Sequence, residues 1–456
     1  FLQEFTQAAP LLGHSIPMSE KTIRVGLLGF GVVGQGAWKH LERGAVGLKR
    51  LLGINVELVK ASVRDLTKER AVEVPPGKLT TDCWDIVNDP EIDLVCELMG
   101  GIDPALELTL AAISQGKHVV TANKALICEH GAEIFEAAEA AGVYYGFEAS
   151  VAGGIPIIKA IRESLVANEF RLIYGILNGT SNYILTRMEK EGATFDEVLT
   201  AARELGYVEA DEALDLDGFD AAHKAVILAY LSHGLWVRED AFPIEGIRRI
   251  STEDLQAAGK LDCKVKLIAV IRRDFETGGV ALGVYPALVP MREVIARTDG
   301  VYNGISVTGD VLGTTVLTGR GAGQDPTASS VISDIVDAIK VILGEKPPPK
   351  LRHTSEGICR LAAPSEVEGS FYLRLTVEDK PGQLARVADT LADQEVSIAT
   401  VLQTGIPERS AASIILTTHA TNEHSIALAI DALEGLSGVL DKPVLLRMFD
   451  PNNHSQ

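Results

Sequence analysis

Residues 22–34 read TIRVGLLGFGVVG. A short apolar run passes into Gly29-Phe30-Gly31-Val32-Val33-Gly34, and QGAWKHLER continues with helical spacing. GxGxxG alone is a weak signal. Between a strand and a helix each glycine has a mechanical use: the first makes the tight turn, the second lets a pyrophosphate approach the backbone, and the third lets helix pack on strand. The amides at the helix start then face the anion. The stretch predicts a dinucleotide-binding strand–helix unit, with a plain glycine turn as the alternative.

Residues 55–62 (NVELVKAS) form the next predicted strand. An NAD site wants an acid at its end to hold the ribose 2′-hydroxyl. This chain has Ala61-Ser62-Val63-Arg64, so Arg64, with Lys78 assisting, is placed to pair with a 2′-phosphate. That favours NADP over NAD, while Asp65 beside it argues the other way. Residues 92–98 (IDLVCEL) are a further buried strand ending in Met99-Gly100-Gly101, where backbone can pass close to a ligand. Strand HVVT (118–121) carries Lys124 just past its carboxyl end, and residues 143–149 (VYYGFEA) read as another strand. Strands alternating with helices mean a mostly parallel, doubly wound sheet over 22–147.

Beyond it, Glu148 precedes Val151-Ala152-Gly153-Gly154-Ile155-Pro156. One carboxylate and several carbonyls suit a hard cation, and a domain-crossing turn is the plainer alternative. A strand at 172–177 breaks at Asn178-Gly179-Thr180-Ser181-Asn182, where Thr180 or Ser181 can cap the next helix. Residues 206–224, GYVEADEALDLDGFDAAHK, set six carboxylates ahead of Lys224. Asp220 and Lys224 are spaced i, i+4 and share a helix face. The continuation AVILAYLSHGLW is too apolar for a surface helix. Lys224 therefore stands among acids where a helix enters the core, either as a proton-moving lysine in a substrate pocket or as part of a structural ion-pair cluster.

Four strands (263–271, 279–285, 301–307, 312–317) follow, in a sheet suited to subunit pairing. Gly319 to Thr327 then opens a helix whose glycine-rich start, with Gly323, predicts a return to the cofactor site. EKPPPK begins a stiff linker at 345–369. The tail at 370–449 has the order βαββαβ, a ferredoxin-like arrangement.

The formal charge of −20 on 456 residues disfavours nucleic acid and anionic membranes as partners, and no apolar run approaches membrane-spanning length. Five scattered cysteines lack metal-ligand spacing and read as buried thiols of a reducing cytoplasm. Residues 1–21 read as a disordered or appended extension.

Taken in order, GFGVVG, TANK, SVAGGIP, LNGTSNYIL and LGYVEADEALDLDGFDAAHK resemble homoserine dehydrogenase across residues 22–344. The resemblance implies a Rossmann-type α/β domain, an α+β catalytic and dimerisation domain over 148–318, and the reversible, NAD(P)H-dependent reduction of L-aspartate 4-semialdehyde to L-homoserine. It implies Lys224 as catalytic proton donor and acceptor, with Glu209 and Asp220 holding the substrate ammonium. Asp215, Tyr207, Thr180 and Gly179 would complete the pocket, and Lys124 would lie near substrate and nicotinamide. Gly206 and Gly323 would touch the cofactor. Glu148 and the carbonyls of Val151, Gly153 and Ile155 would hold sodium or potassium. One departure is Glu212, where many relatives carry proline after the position of Asp211. In the tail, EDKPGQL resembles an ACT domain, a small-molecule sensor. There the loop with Asp379, Pro381, Gly382, Gln383 and Leu384 would offer free amides at a helix start to threonine, or the module would serve only a homodimer or homotetramer. The rival readings are another amino-acid oxidoreductase of the same layout and a non-enzymatic nucleotide or amino-acid sensor.

Overall fold

The computed structural model describes residues 21–205, 212–346, 359–406 and 409–452. The amino-terminal extension, the proline run, Gly206, Tyr207 and Glu209 lie outside the described residues.

The first domain runs β1 (Thr22–Leu28), α1 (Val32–Leu52), β2 (Asn55–Ser62), β3 (Leu79–Thr80), α2 (Trp84–Val87), β4 (Leu94–Glu97), α3 (Ala105–Ser114), β5 (His118–Thr121), α4 (Lys124–Ala141) and β6 (Tyr145–Gly146). All pairings are parallel, in the order β3-β2-β1-β4-β5-β6. The winding reverses between β1 and β4, and sheets of this kind open a ligand crevice there, at the carboxyl ends. The central β4 is buried along its whole length, as a strand covered by helices on both faces requires. β6 is shorter than the apolar run at 143–149 predicts, because the chain leaves it for a 3-10 turn at Glu148–Ser150.

The second domain continues α5 (Ile157–Lys159), β7 (Phe170–Ile176), α6 (Gly179–Glu191), α7 (Phe195–Glu204), α8 (Ala213–Leu216), α9 (Phe219–His233), α10 (Thr252–Lys260), β8 (Cys263–Arg273), β9 (Gly279–Pro290), β10 (Tyr302–Gly309) and β11 (Gly313–Arg320). Its sheet is antiparallel, β11-β10-β7-β8-β9. α9 is apolar on every side and is buried almost throughout, Asp220 and Lys224 included. α11 (Gln324–Ile342) then packs against α1 of the first domain. Gly36 on α1 makes this possible, since a Cβ there would stand 2.7 Å from the Gln324 carbonyl oxygen. Asp325 accepts from Lys39 at 3.4 Å and meets His40 at 2.7 Å.

The tail comprises β12 (Arg360–Leu361), β13 (Glu368–Glu378), α12 (Gln383–Asp393), β14 (Ile398–Ile406), β15 (Ala411–Thr418), β16 (Thr421–Asn422), α13 (Glu423–Glu434) and β17 (Val444–Met448). The order β17-β13-β15-β14 is ferredoxin-like. Two expectations need correction. The expected linker at 345–369 is structured at its carboxyl end, where β12 pairs parallel with β9. Nor is the tail a separate module: β17 pairs with β9 through Arg447–Ala287 and Met448–Leu288, so both sheets join into one of eleven strands. Side chains reinforce the seam. The buried Asp254 accepts from Tyr372 Oη at 2.9 Å and from Arg374 Nε at 2.7 Å.

Among the described residues no helix is long and apolar enough to cross a membrane. All five cysteines are free thiols, four of them buried and Cys83 half-buried.

Candidate active site

The loop after β1 separates the three glycine roles. A Cβ on Gly29 (φ 97°) would stand 2.7 Å from the Leu98 carbonyl oxygen, and one on Gly34 would stand 2.4 Å from that of Gly29. On Gly31 it would meet nothing within 4 Å. The first and third glycines are thus demanded by packing, and the second leaves open space beside the start of α1. That space belongs to a cavity whose wall includes Gly29, Phe30, Gly31, Val32, Arg64 and Gly100. Val33 packs against the core and Gly34 is buried in it.

On the cavity wall, Arg64 forms no hydrogen bond or ion pair among the described residues. The Asp65 carboxylate is turned onto Thr67, accepting from its amide at 2.8 Å and its hydroxyl at 2.7 Å. These bonds hold its pKa below the usual carboxylate value. Lys68 and Arg70 also line this cavity and were missed in the sequence, because nothing in the loop's spacing shows which way it folds. Lys78 is a correction. It does not line the cavity but donates to the Leu58 carbonyl at 2.6 Å and pairs with Glu57 at 3.3 Å on β2. Gly323 caps α11 at φ 119° and likewise lies off the cavity wall.

The carboxyl ends of the central strands are joined to one another by a network that the sequence does not mark. Asn123 caps α4 by accepting from the Leu126 amide at 3.1 Å, and its amide group donates to the Gly101 carbonyl at 2.6 Å. Glu97, at the end of β4, accepts from Thr121 Oγ1 at 2.7 Å and the Met99 amide at 2.9 Å. Burial raises the Glu97 pKa against these bonds. The network fixes the carboxyl ends of β4 and β5, and Lys124 follows the Asn123 cap as the first residue of α4.

Lys124 reaches across to α9, with Nζ 3.3 Å from Asp220 Oδ1. Lys224 Nζ donates to Asp220 Oδ2 at 2.6 Å and to the Leu177 carbonyl at 2.7 Å. Burial would raise the Asp220 carboxyl, but the ammoniums of Lys224 and Lys124 overcome it and hold it well below the usual carboxylate range. Asn178 arranges the acids, donating to Asp215 at 2.7 Å and to Asp220 at 2.8 Å. Asp215 is pushed up, first by burial and then by Asp220, against bonds from Asn178 and Thr180. Asn178 rather than Thr180 or Ser181 caps α6, accepting from the Ser181 amide at 2.8 Å. Gly179 has no room for a Cβ, with the Val301 carbonyl oxygen 2.8 Å from that position. Lys224, Asp220, Lys124 and Asp215 therefore lie together around Asn178, with Thr180 bonded to Asp215.

The cation loop is a different case. The Glu148 carboxylate accepts from the amides of Ile158 at 2.9 Å and Lys159 at 2.8 Å. Burial and the nearby Asp334 push its pKa up to about 7. The Gly153 carbonyl accepts from Ser330 at 2.6 Å, and that of Ile155 from the Ile157 amide at 2.8 Å. The Glu148 carboxylate is thus spent on capping a helix start. In the tail, the amides of Asp379, Lys380 and Gln383 already donate to backbone carbonyls, so the loop offers fewer free amides than expected. The Gln383 side chain is buried and its carboxamide has no partner among the described residues.

Residues 156–336 match the family model described as homoserine dehydrogenase, and residues 29–148 match its NAD-binding domain. A homoserine dehydrogenase of Synechocystis sp. is 42% identical over 434 residues, covering 94% of this chain and 100% of that one. The chain belongs to the homoserine dehydrogenase family. It is an NAD(P)-dependent oxidoreductase. The homoserine dehydrogenase structure from Thiobacillus denitrificans aligns with a TM-score of 0.87 at 43% identity, covering 94% of this chain and 99% of that one. A hyperthermophilic archaeal homoserine dehydrogenase in complex with NADPH aligns with a TM-score of 0.60 at 25% identity, covering 73% and 100%. Residues 371–438 match the ACT domain, so this homoserine dehydrogenase carries the regulatory fold at its carboxyl end.

Proposed function

We propose that Lys224 gives a proton to, and takes it from, the oxygen that interconverts between aldehyde and alcohol. The observation that carries this reading is the reach of Lys124 to Asp220, which brings the Lys224 cluster to the open end of the parallel sheet. When bound, the nicotinamide supplies or accepts the hydride. Asp220 fixes the Lys224 ammonium on one side of α9, and an ammonium aimed at the oxygen offsets negative charge developing there. Asp220, with Glu209, holds the substrate ammonium. Thr180, Gly179 and Tyr207 receive the rest of the substrate, with Asp215 oriented by Asn178.

The cofactor is NADP in preference to NAD. Arg64 and Lys68 put positive charge on the cavity wall, while Asp65 is occupied by Thr67. Gly206 and Gly323 are assigned to the nicotinamide end of the cofactor. Each carbonyl of the 151–155 turn keeps a second lone pair, so sodium or potassium is held there with Glu148 in support. Threonine binds the ACT domain where the Gln383 carboxamide lacks a partner, at the start of α12. The edge strands β11 and β14 are largely exposed and pair copies into a homodimer or homotetramer of the cytoplasm.

Initial rates with L-aspartate 4-semialdehyde and NADPH, with and without threonine, test the proposal. Lys224→Ala should abolish turnover while NADPH binding, read by fluorescence, persists. Turnover near the parent's in that variant would remove the assignment. A rate law containing ammonia would point to chemistry at an amine carbon.

A further inference from the structure

Cys128, His223 and Glu239 each present a ligand atom within 4.8 Å of the other two. They come from three elements. Cys128 lies one turn beyond Lys124 on α4, His223 precedes Lys224 on α9, and Glu239 opens the 3-10 turn Glu239–Ala241. His223 Nε2 contacts Glu239 Oε1, and His223 Nδ1 is buried with no partner among the described residues. We propose that these three side chains bind a zinc-class divalent cation that fastens α4 to α9 beside the substrate pocket.

The donor set supports this choice of ion. Thiolate, imidazole and carboxylate together suit zinc, and three protein ligands leave its fourth position to water. Bond lengths of about 2.0–2.3 Å put tetrahedral ligands roughly 3.3–3.7 Å apart. Donors at the 4.8 Å limit would close by roughly 1.1–1.5 Å to reach that spacing, while His223 Nε2 and Glu239 Oε1, already in contact, would move apart. A bare His223–Glu239 ion pair explains neither the third donor nor the orphaned ring nitrogen. The groups facing the site are Lys124 and Asp220 on the imidazole side and Glu129 beside the thiol. Burial keeps the imidazole neutral and pushes the thiol up to about 12. Cation binding therefore releases one proton, from Cys128 to solvent, as the sulfur–metal bond forms. The Glu239 side chain is 36% exposed, which gives the ion an entry path.

The test is a cobalt titration of the full chain after chelator treatment and desalting. One equivalent should raise a thiolate-to-cobalt absorption band in the near ultraviolet, and zinc should displace it. Zinc alone should raise the melting temperature by roughly 3–5 °C. Cys128→Ser should lose the band and the zinc-dependent rise while melting close to the parent without metal. Glu239→Gln should weaken zinc binding about tenfold. No band in the parent chain, or an undiminished band or melting shift in Cys128→Ser, would overturn the proposal.

Discussion

Lys224 and Asp220 stand one turn apart on a buried helix, with ammonium and carboxylate 2.6 Å from each other. Asp220 also takes the Lys124 ammonium at 3.3 Å, so a single carboxylate aligns two cations from two domains. Asp220→Asn keeps the shape and removes the charge. We expect kcat to fall by roughly 100-fold or more. NADPH affinity, measured by fluorescence titration, should stay within about twofold of the parent, since Asp220 does not line the dinucleotide cavity. Parent-like turnover would show that the pair is structural only.

Arg64 stands on the wall of the cavity beside an acid already spent on its own loop. Arg64→Ala should raise KM for NADPH by about tenfold and change KM for NADH little, because a lost charge-assisted contact to phosphate is worth about 1.5–3 kcal/mol. Equal effects on the two cofactors in steady-state assays would argue against a 2′-phosphate contact.

Asp254 carries two jobs. It closes the capping box of α10 with Ser251, and it receives Tyr372 and Arg374 from β13. Arg374→Ala leaves that buried carboxylate short of its cation and should cost about 3 kcal/mol of stability. A double-mutant cycle with Asp254→Asn, followed by urea unfolding, should return a coupling energy well above 1 kcal/mol, the usual ceiling for an exposed pair. Additive effects would mean that the seam is held by strand pairing alone.

His233 is buried at the end of α9 with neither ring nitrogen bonded among the described residues. Burial, aided by Arg273, lowers its pKa to about 3, below the unfolded value. Between these values the unfolded chain binds the extra proton, so the folded state loses stability as pH falls from about 6.5 toward 3. By pH 5 this amounts to about 2 kcal/mol. His233→Phe should shrink the drop in melting temperature between pH 7 and pH 5, and an unchanged drop would count against the assignment.

The dinucleotide half was readable because glycine spacing is a steric requirement, and Gly29, Gly31 and Gly34 meet it one role each. The i, i+4 spacing of Asp220 and Lys224 was readable because a helix enforces it. Contacts between distant segments were not. No residue type marks that β17 pairs with β9, since that pairing uses backbone groups every residue carries. Thr180 and Ser181 read as the cap that Asn178 supplies, and the task of Asn178 with Asp215 and Asp220 exists only once α8 and α9 fold beside it. Lys78 failed for the same reason: its position past β2 was visible, but its partners Leu58 and Glu57 were not.

The parallel join of β9 to β17 bears on any attempt to free the catalyst from its sensor by shortening the gene. The last strand among the described residues is the one that covers the flank of β9 at Ala287 and Leu288. A chain stopped after α11 would leave that flank bare, with unsatisfied amides and carbonyls beside apolar side chains, a template for clumping. Any response of the ACT domain to a small molecule is better probed by point changes at Gln383 or Arg374 than by truncation, because in this molecule the ACT domain is also a wall of the catalytic sheet.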